Sequence, residues 1–289
     1  MAKRDGRVVA TQKLVDHGQN AQRFNIVILG DGYQAAELPA YAAAVEAFVA
    51  RFQAAAPYTA LWPAINIFRV DVASADSGVD DQGKGISRNT YFDSYFDPNL
   101  GRLLRCDTAL AVATAIAQVP QKHMAFVIAN TGEYGGSGGD AAVFSTNAFA
   151  AEIGLHEMGH TVFHLADEYP CYSCGAGETG HDRFSGAEPA QPNITSRLAR
   201  PLKWETRLSA PGDALPTTAN ANCGQCDSQA NPKPASYVGA YEGAGWFHCG
   251  CYRPSYDCRM RTIGQPFCTV CQGVITTMLQ PFMPAVPSV

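Results

Sequence analysis

The segment "GLHEMGHTVFHLADEY", Gly154 to Tyr169, places three histidines four residues apart and follows them with two acids. An α-helix brings residues i and i+4 to one face, about 6 Å apart along its axis, so His156 and His160 can bind one metal ion. Glu157 lies beside them, where it can take a proton from a metal-activated water and act as general base. The segment therefore predicts a helix that carries a zinc centre.

The third zinc ligand does not follow from the same spacing. If the helix continues, His164 lies about 12 Å along the axis from His156, so one ion cannot bind both. The acids Asp167 and Glu168 are the nearest candidates beyond the helix. We predict that Asp167 is the ligand and keep Glu168 as the alternative. If Asp167 binds the ion, Glu168 could orient that ligand without binding the ion itself.

The chain before this motif alternates predicted strands and helices. Short apolar runs that end in turn residues predict strands, and Ala-rich runs with helical spacing predict the helices between them. Asp107 or Thr108 is expected near the N-cap of the second helix. The predicted elements are strand 23–33, helix 35–58, strand 64–74, helix 106–118, strand 123–130 and the short strand 141–145. This alternation predicts an α/β layer with a mainly parallel sheet.

The ten cysteines are distributed unevenly, because Cys106 stands alone and nine fall in the C-terminal part. That part is rich in Gly and Pro between residues 170 and 256 and is expected to be loops, followed by a last helix. We predict structural cysteines at Cys171, Cys174, Cys223, Cys226, Cys249, Cys251, Cys258, Cys268 and Cys271. CxxC pairs suit disulfides in an oxidising compartment and structural zinc in a reducing one. We favour disulfides, because no two pairs have the short separation of a zinc ribbon.

Two further groups of residues could bind a metal ion. His248 could join cysteines in a second, structural zinc site. The acids Asp76, Asp80 and Asp81 could bind calcium, but they do not follow the EF-hand spacing, so a solvated acidic loop is the favoured interpretation.

Composition excludes several classes of function. With 21 basic and 26 acidic residues the net charge is -5, so the chain lacks the excess of positive charge that is typical of nucleic-acid-binding proteins. No stretch approaches the roughly 18 to 20 apolar residues of a membrane span.

The N-terminus lacks the apolar region of a secretory signal peptide, whereas the cysteine content favours a secreted or periplasmic protein, so the compartment stays open. The sequence does not indicate an oligomeric state.

Four segments together resemble a known family. "HEMGHTVFHLADEY", "FNIVILGDGYQAAEL", "INIFRVDVASADSGVD" and "YDCRMRTIGQPFCTVC" are similar to the zinc metallopeptidase family named for a bacterial immunoglobulin A peptidase, and they extend from Phe24 to Cys271. The resemblance implies a metzincin, with a zincin-like α+β fold: a twisted sheet and two helices, including the HExxH helix, above the cleft. An irregular, Cys-rich subdomain would lie below it, with a Met turn that matches Met260. We therefore expect one catalytic domain over residues 1–289, divided into subdomains 1–165 and 166–289.

The chain departs from the metzincin pattern where the third ligand is expected. That pattern is HExxHxxGxx followed by the ligand, and the glycine lets the chain turn off the helix. Here Phe163 stands at the glycine position and Ala166 at the ligand position, so neither matches. Asp167 comes one residue after the ligand position of the pattern.

The resemblance implies a zinc-dependent endopeptidase that acts on an extended polypeptide. In this fold an edge strand pairs with the substrate, and we expect strand 141–145 to be that strand. Tyr252 and Tyr256 are candidate oxyanion donors, although aromatic packing is the favoured interpretation of each. The alternatives are a zinc hydrolase of a non-peptide amide and a catalytically silent binding protein on a peptidase fold. The intact histidines and Glu157 disfavour the silent protein.

Overall fold

A computed structural model describes residues 5–171 and 181–285 of the chain. Cys174, one of the predicted structural cysteines, lies outside these ranges. The helices within them are α1 (Leu38–Ala54), α2 (Tyr58–Leu61), α3 (Thr108–Gln118), α4 (Ala150–Thr161) and α5 (Thr269–Leu279). The strands are β1 (Gly6–Val15), β2 (Phe24–Asp31), β3 (Ile65–Ser74), β4 (Tyr95–Phe96), β5 (Leu104–Arg105), β6 (Lys122–Ala129), β7 (Gly136–Ser137), β8 (Ala142–Ser145), β9 (Tyr241–Ala244) and β10 (Phe247–Arg253).

A mixed sheet with a parallel centre organises the first half of the chain. In the described ranges it has six strands in the order β1-β3-β2-β6-β8-β7. The pairs β3/β2, β2/β6 and β6/β8 are parallel, whereas β1 and β7 pair antiparallel with their neighbours. Parallel neighbours need a long crossover, which α1 provides between β2 and β3 and α3 provides before β6. The predicted mainly parallel sheet is confirmed.

Local sequence explains where these elements begin and end. The N-cap of α3 is Asp107, whose carboxylate accepts the Leu110 N–H at 2.9 Å. Strand β2 is buried along its whole length, as expected of a strand in the middle of a parallel sheet. Its sequence is a continuous apolar run because both faces of the strand are buried.

Both faces of the sheet are covered. On one face the side chains of Val27, Val70 and Val127 belong to a core that includes Leu110 and Ala111 of α3. On the other face aromatic rings dominate. A contact between α1 and β6 is made by Phe48 and Phe126, whose ring centroids lie 5.0 Å apart, and Phe48 also contacts Phe144 of β8 at 4.9 Å.

Helix α4 packs on the aromatic face. At Gly154, near the middle of the helix, a methyl group would lie 2.8 Å from the Phe48 ring and 3.0 Å from the Phe144 ring. An ion pair between Arg51 of α1 and Glu152 of α4 adds a contact at the start of the helix. Glycine is therefore needed here because α4 approaches α1 and β8 closely, and this approach fixes which way the next turns face.

The expected edge strand needs correction. Strand β8, within the predicted segment 141–145, pairs with β6 on one side and with β7 on the other. The glycine-rich segment before it folds back as β7, with Gly136 opposite Phe144 and Ser137 opposite Val143. The prediction that 141–145 is an edge strand is wrong, because glycines without side chains allow β7 to pair with it.

The described chain divides into two compact units. The first runs to Val162 and also includes the residues from Met278 onward; the second runs from Phe163 to Thr277. The second unit contains the antiparallel hairpin of β9 and β10 and most of α5, and is otherwise largely loops. It also contains the Cys223–Cys249 disulfide.

Five cysteines within the described ranges are free thiols. They are Cys106, Cys251, Cys258, Cys268 and Cys271. Because Cys223 bonds to Cys249, it does not close a ring with Cys226 of its own CxxC pair. Over residues 5–171 and 181–285, no helix has the length and apolar character to cross a membrane.

Candidate metal centre

Helix α4 presents the two motif histidines side by side. The Nε2 atoms of His156 and His160 lie 3.1 Å apart; His156 is buried and His160 is half-buried. Two nitrogens bound to one tetrahedral zinc ion at about 2.0–2.1 Å are separated by roughly 3.3 Å. The pair therefore has the spacing that a shared ion requires.

The Glu157 carboxylate lies beside a glycine-lined strand. A methyl group at Gly136 would lie 3.3 Å from Glu157 Oε1, and one at Gly138 would lie 3.4 Å from Oε2 and 2.9 Å from His160 Cβ. These glycines therefore let the backbone of 136–138 run directly against the helix face that carries the motif. The local sequence gives no sign of this role, because glycines in a run are typical of turns.

This close approach predicts the effect of a single methyl group. In Gly136→Ala the new Cβ would lie 2.4 Å from Ile153 Cγ2, so α4 and β7 must separate. We expect a loss of about 1–3 kcal/mol of unfolding free energy, measured by chemical denaturation. Gly132→Ala is the matched control, because its Cβ meets nothing within 4 Å. Equal stability of the two variants would contradict the described packing.

Tyr134 is a further polar side chain near the motif. Its pKa is raised by burial and by the negative charge of Glu157, while Arg102 lowers it. The residue is also 41% exposed. The glycine-rich segment thus brings a phenol into the electrostatic environment of Glu157.

The chain leaves α4 through a left-handed residue. The helix ends at Thr161, and His164 is exposed with a φ of 51°. Histidine is one of the few non-glycine types enriched in this region. The left-handed residue after α4 is therefore His164, one position after Phe163.

Asp167 belongs to the second unit, where neighbouring groups hold its backbone and carboxylate. The Trp246 indole N–H donates to Asp167 Oδ2 at 2.8 Å, and the Gly245 N–H donates to the Asp167 carbonyl at 3.0 Å. Asn193, which is fully buried, bonds to both the N–H and the carbonyl of Ala166. These contacts orient the acid predicted to be the third ligand.

Glu168 faces a different environment within the same unit. It is fully buried, and Oε1 accepts from Asn193 at 2.9 Å and from the Cys271 thiol at 3.3 Å. Burial, followed by the charge of Cys268, raises the pKa of this carboxyl well above its ordinary value. The side chain is directed toward the cysteines 258–271, so we do not retain it as the alternative ligand of the histidine pair.

The other predicted residues of the second unit have defined partners. Met260 is fully buried, and its carbonyl accepts the Glu168 N–H at 2.7 Å. The Tyr256 hydroxyl donates to the carbonyl of Gln229 at 2.7 Å. The Tyr252 pKa is raised mainly by burial and next by the charge of Glu242. Packing therefore accounts for both tyrosines, and we do not retain them as oxyanion donors.

The hypothesis that His248 joins cysteines corresponds to a real grouping. Ligand atoms of Cys171, Cys226 and His248 lie within 4.8 Å of one another. Cys226 is disulfide-bonded, however, so its sulfur is not available as a thiolate.

The acids proposed for calcium bind loop N–H groups instead. Asp76 accepts from Asn89, and Asp81 accepts from Lys84. Asp80 accepts from the N–H of Arg88. These acids are absent from the candidate metal-binding groups of the described ranges, which favours the loop interpretation.

Comparison with known families places the chain. A family model described as IgA Peptidase M64 matches residues 12–225 and 225–279. The chain belongs to the IgA peptidase M64 family. Membership in M64 identifies the protein as a peptidase, and the match includes α4 and the segment around Met260. No curated protein matches the chain significantly.

The M64 match is consistent with metal-dependent chemistry. Candidate metal-binding groups occur among the described residues, as a metallopeptidase requires. A peptidase of this family binds a polypeptide substrate, so the histidine pair and Glu157 can be considered as parts of a hydrolytic site.

Proposed function

We propose that this M64 protein is a zinc-dependent endopeptidase. In this proposal His156, His160 and Asp167 hold the ion, Glu157 is the general base, and the substrate is an extended polypeptide. The observation that carries the proposal is the spacing of the two histidine Nε2 atoms on α4, 3.1 Å, beside Glu157. Imidazoles on adjacent turns with this spacing fit a shared divalent ion, and the family match supports a peptidase reaction.

The assignment of Asp167 is supported by the position of the chain turn. In the metzincin pattern, the ligand follows the turning glycine by three positions. The left-handed residue here is His164, and Asp167 follows it by the same number. A shift of both features by one residue preserves the spacing that the pattern requires. Ala166, at the unshifted position, offers no ligand atom.

The role of each residue follows from its chemistry. A bound zinc ion would supply a Lewis acid that polarises the scissile carbonyl and makes water a stronger nucleophile. Glu157 would take the proton of the attacking water and return it to the leaving amine. The backbone of 136–138 shields one side of this carboxylate, and Trp246 holds the Asp167 carboxylate by a hydrogen bond. Partners of this kind fix ligand orientation and tune affinity.

The Trp246 contact can be tested separately from the chemistry. Trp246→Phe removes the indole N–H that binds Asp167 Oδ2 but keeps an aromatic ring. We expect zinc affinity, measured by competition with a chromophoric chelator, to fall by about 10–100-fold. Trp204→Phe is the control, because it removes an indole bond to the Gly239 carbonyl. Unchanged affinity in Trp246→Phe, or an equal fall in both variants, would contradict the role given to Asp167.

The function itself is tested by cleavage of unfolded protein by the zinc-loaded chain. New peptide termini, identified by mass spectrometry, are the expected result. Absence of new termini from a fully zinc-loaded protein would contradict the endopeptidase proposal.

A further inference from the structure

Four buried side chains of the second unit converge on one point. Glu168, Cys258, Cys268 and Cys271 each offer a ligand atom, and these atoms lie within 4.8 Å of one another. All four residues are buried, and the three cysteines are free thiols. A buried carboxyl group is costly unless its oxygens are satisfied, and a metal ion held with the three thiols would satisfy them.

Two distances within the cluster match the edges of a tetrahedron around zinc. Cys258 Sγ and Cys271 Sγ are 3.8 Å apart, and Cys271 Sγ lies 3.3 Å from Glu168 Oε1. Two sulfurs bound at about 2.3 Å to a tetrahedral ion are separated by roughly 3.8 Å, and a sulfur and an oxygen by roughly 3.5 Å. A disulfide would instead require a separation of about 2.05 Å.

A second observation points to a missing ligand. Glu168 Oε2 is buried and has no hydrogen-bond partner within the part of the chain that the structure describes. The other carboxylate oxygen already accepts from Asn193 and Cys271. A fully buried carboxylate oxygen without a partner is expensive, and a cation bound at the cluster would satisfy it.

We propose that Glu168, Cys258, Cys268 and Cys271 form a structural zinc site distinct from the histidine centre. Four protein ligands close the coordination sphere, so the site leaves no position for a substrate. Soft thiolates favour zinc over magnesium and calcium. The inference concerns a different ion from the one in the proposed peptidase reaction and does not depend on that reaction.

A buried cation offsets the charge of such a site. Three thiolates and one carboxylate around a divalent ion carry a net charge of −2. The Arg253 guanidinium is 3% exposed and donates to the carbonyls of Glu242, Gly243 and Tyr256. Arg253 and Glu168 also interact electrostatically. The guanidinium thus places positive charge near the cluster without occupying the carboxylate.

The site would tie together three separate segments. Glu168 follows Asp167, Cys258 opens the turn that contains Met260, and Cys268 and Cys271 stand at the start of α5. The Glu168 N–H already donates to the Met260 carbonyl at 2.7 Å. One ion bound to these ligands would fix the segment that positions Asp167 and the Met turn at the same time.

Metal content in a variant without the histidine ligands tests the inference. The full chain carrying His156→Ala and His160→Ala is purified under reducing conditions, and zinc is measured by inductively coupled plasma mass spectrometry. We expect this variant to retain a zinc ion. Adding Cys268→Ser should remove that ion, whereas adding Cys251→Ser should not. Cys251 is the matched control, because it is a buried free thiol that packs with Ile194 and Ala244.

Replacement of zinc by cobalt tests the site without substituting a cysteine, so the result does not depend on whether the Cys268→Ser variant folds. The histidine double variant, otherwise intact, should show thiolate-to-cobalt charge-transfer absorption when loaded with Co²⁺. Glu168→Gln, which preserves the shape of the side chain, should alter the spectrum of the bound cobalt. The proposal is overturned if the double variant binds neither zinc nor cobalt. It is also overturned if peptide mapping shows a disulfide among Cys258, Cys268 and Cys271.

Discussion

His156→Ala is expected to remove the ion of the histidine centre and with it peptide hydrolysis. The imidazole nitrogens of His156 and His160 lie 3.1 Å apart, so the loss of one leaves the other without the geometry of a shared ion. Loss of an outer partner of a zinc ligand costs about 10–100-fold in affinity, and loss of the ligand itself should cost more. Zinc per chain should therefore fall by the equivalent of one site.

The control for this variant is His164→Ala. His164 is exposed and follows the end of α4, and the account gives it no ligand role. This variant should keep its zinc and its activity, although its left-handed backbone can lower stability. Full zinc content and full activity in His156→Ala would show that the pair does not bind the ion.

Glu157→Gln should separate metal binding from catalysis. The amide keeps the size of the carboxylate beside Gly136 and Gly138 but cannot take a proton. We expect the rate of peptide cleavage to fall by about 10²–10⁴-fold, since this is the usual contribution of a general base. The zinc content should equal that of the wild type.

Glu152→Gln is the matched control for Glu157→Gln. Glu152 lies on the same helix, one turn before His156, and pairs with Arg51, so its replacement removes a carboxylate from α4 without removing the proposed base. Its cleavage rate should stay near that of the wild type. If Glu157→Gln cleaved peptides as fast as Glu152→Gln does, Glu157 would not be the base.

The sheet and its helices were largely predictable because their local patterns agree with their tertiary environment. The apolar run at β2 is buried on both faces, and the Asp107 carboxylate caps α3 by accepting a backbone N–H. Strand β7 was not predictable in the same way. Its sequence, Gly136 and Ser137, has no strand propensity, and only pairing with β8 makes it a strand.

The candidate site was predictable where helical spacing alone determines geometry. His156 and His160 are brought together by one turn of α4, as the motif requires. The surroundings of Glu168 depend instead on contacts with residues 90 to 103 positions later in the chain, such as Cys258 and Cys271. Spacing contains no information on such contacts, and the CxxC pairs pointed to disulfides instead.

The role of Asn193 also could not be predicted from the sequence. It is a buried asparagine inside a loop, and its amide bonds to Ala166 and Glu168. An asparagine in a stretch rich in Gly and Pro suggests a turn residue, so its role in holding the segment around Asp167 appears only in the fold.

Cleavage of an unfolded protein mixture before and after removal of metal tests the central claim most directly. The wild-type chain is assayed as purified, after chelation, and after zinc is restored, with Glu157→Gln carried through the same steps. New internal peptide termini are identified by mass spectrometry. The account predicts cleavage by the wild type, loss on chelation, recovery with zinc, and little cleavage by Glu157→Gln at any step. Cleavage that persists at full rate without metal, or that is equal in Glu157→Gln, would contradict it.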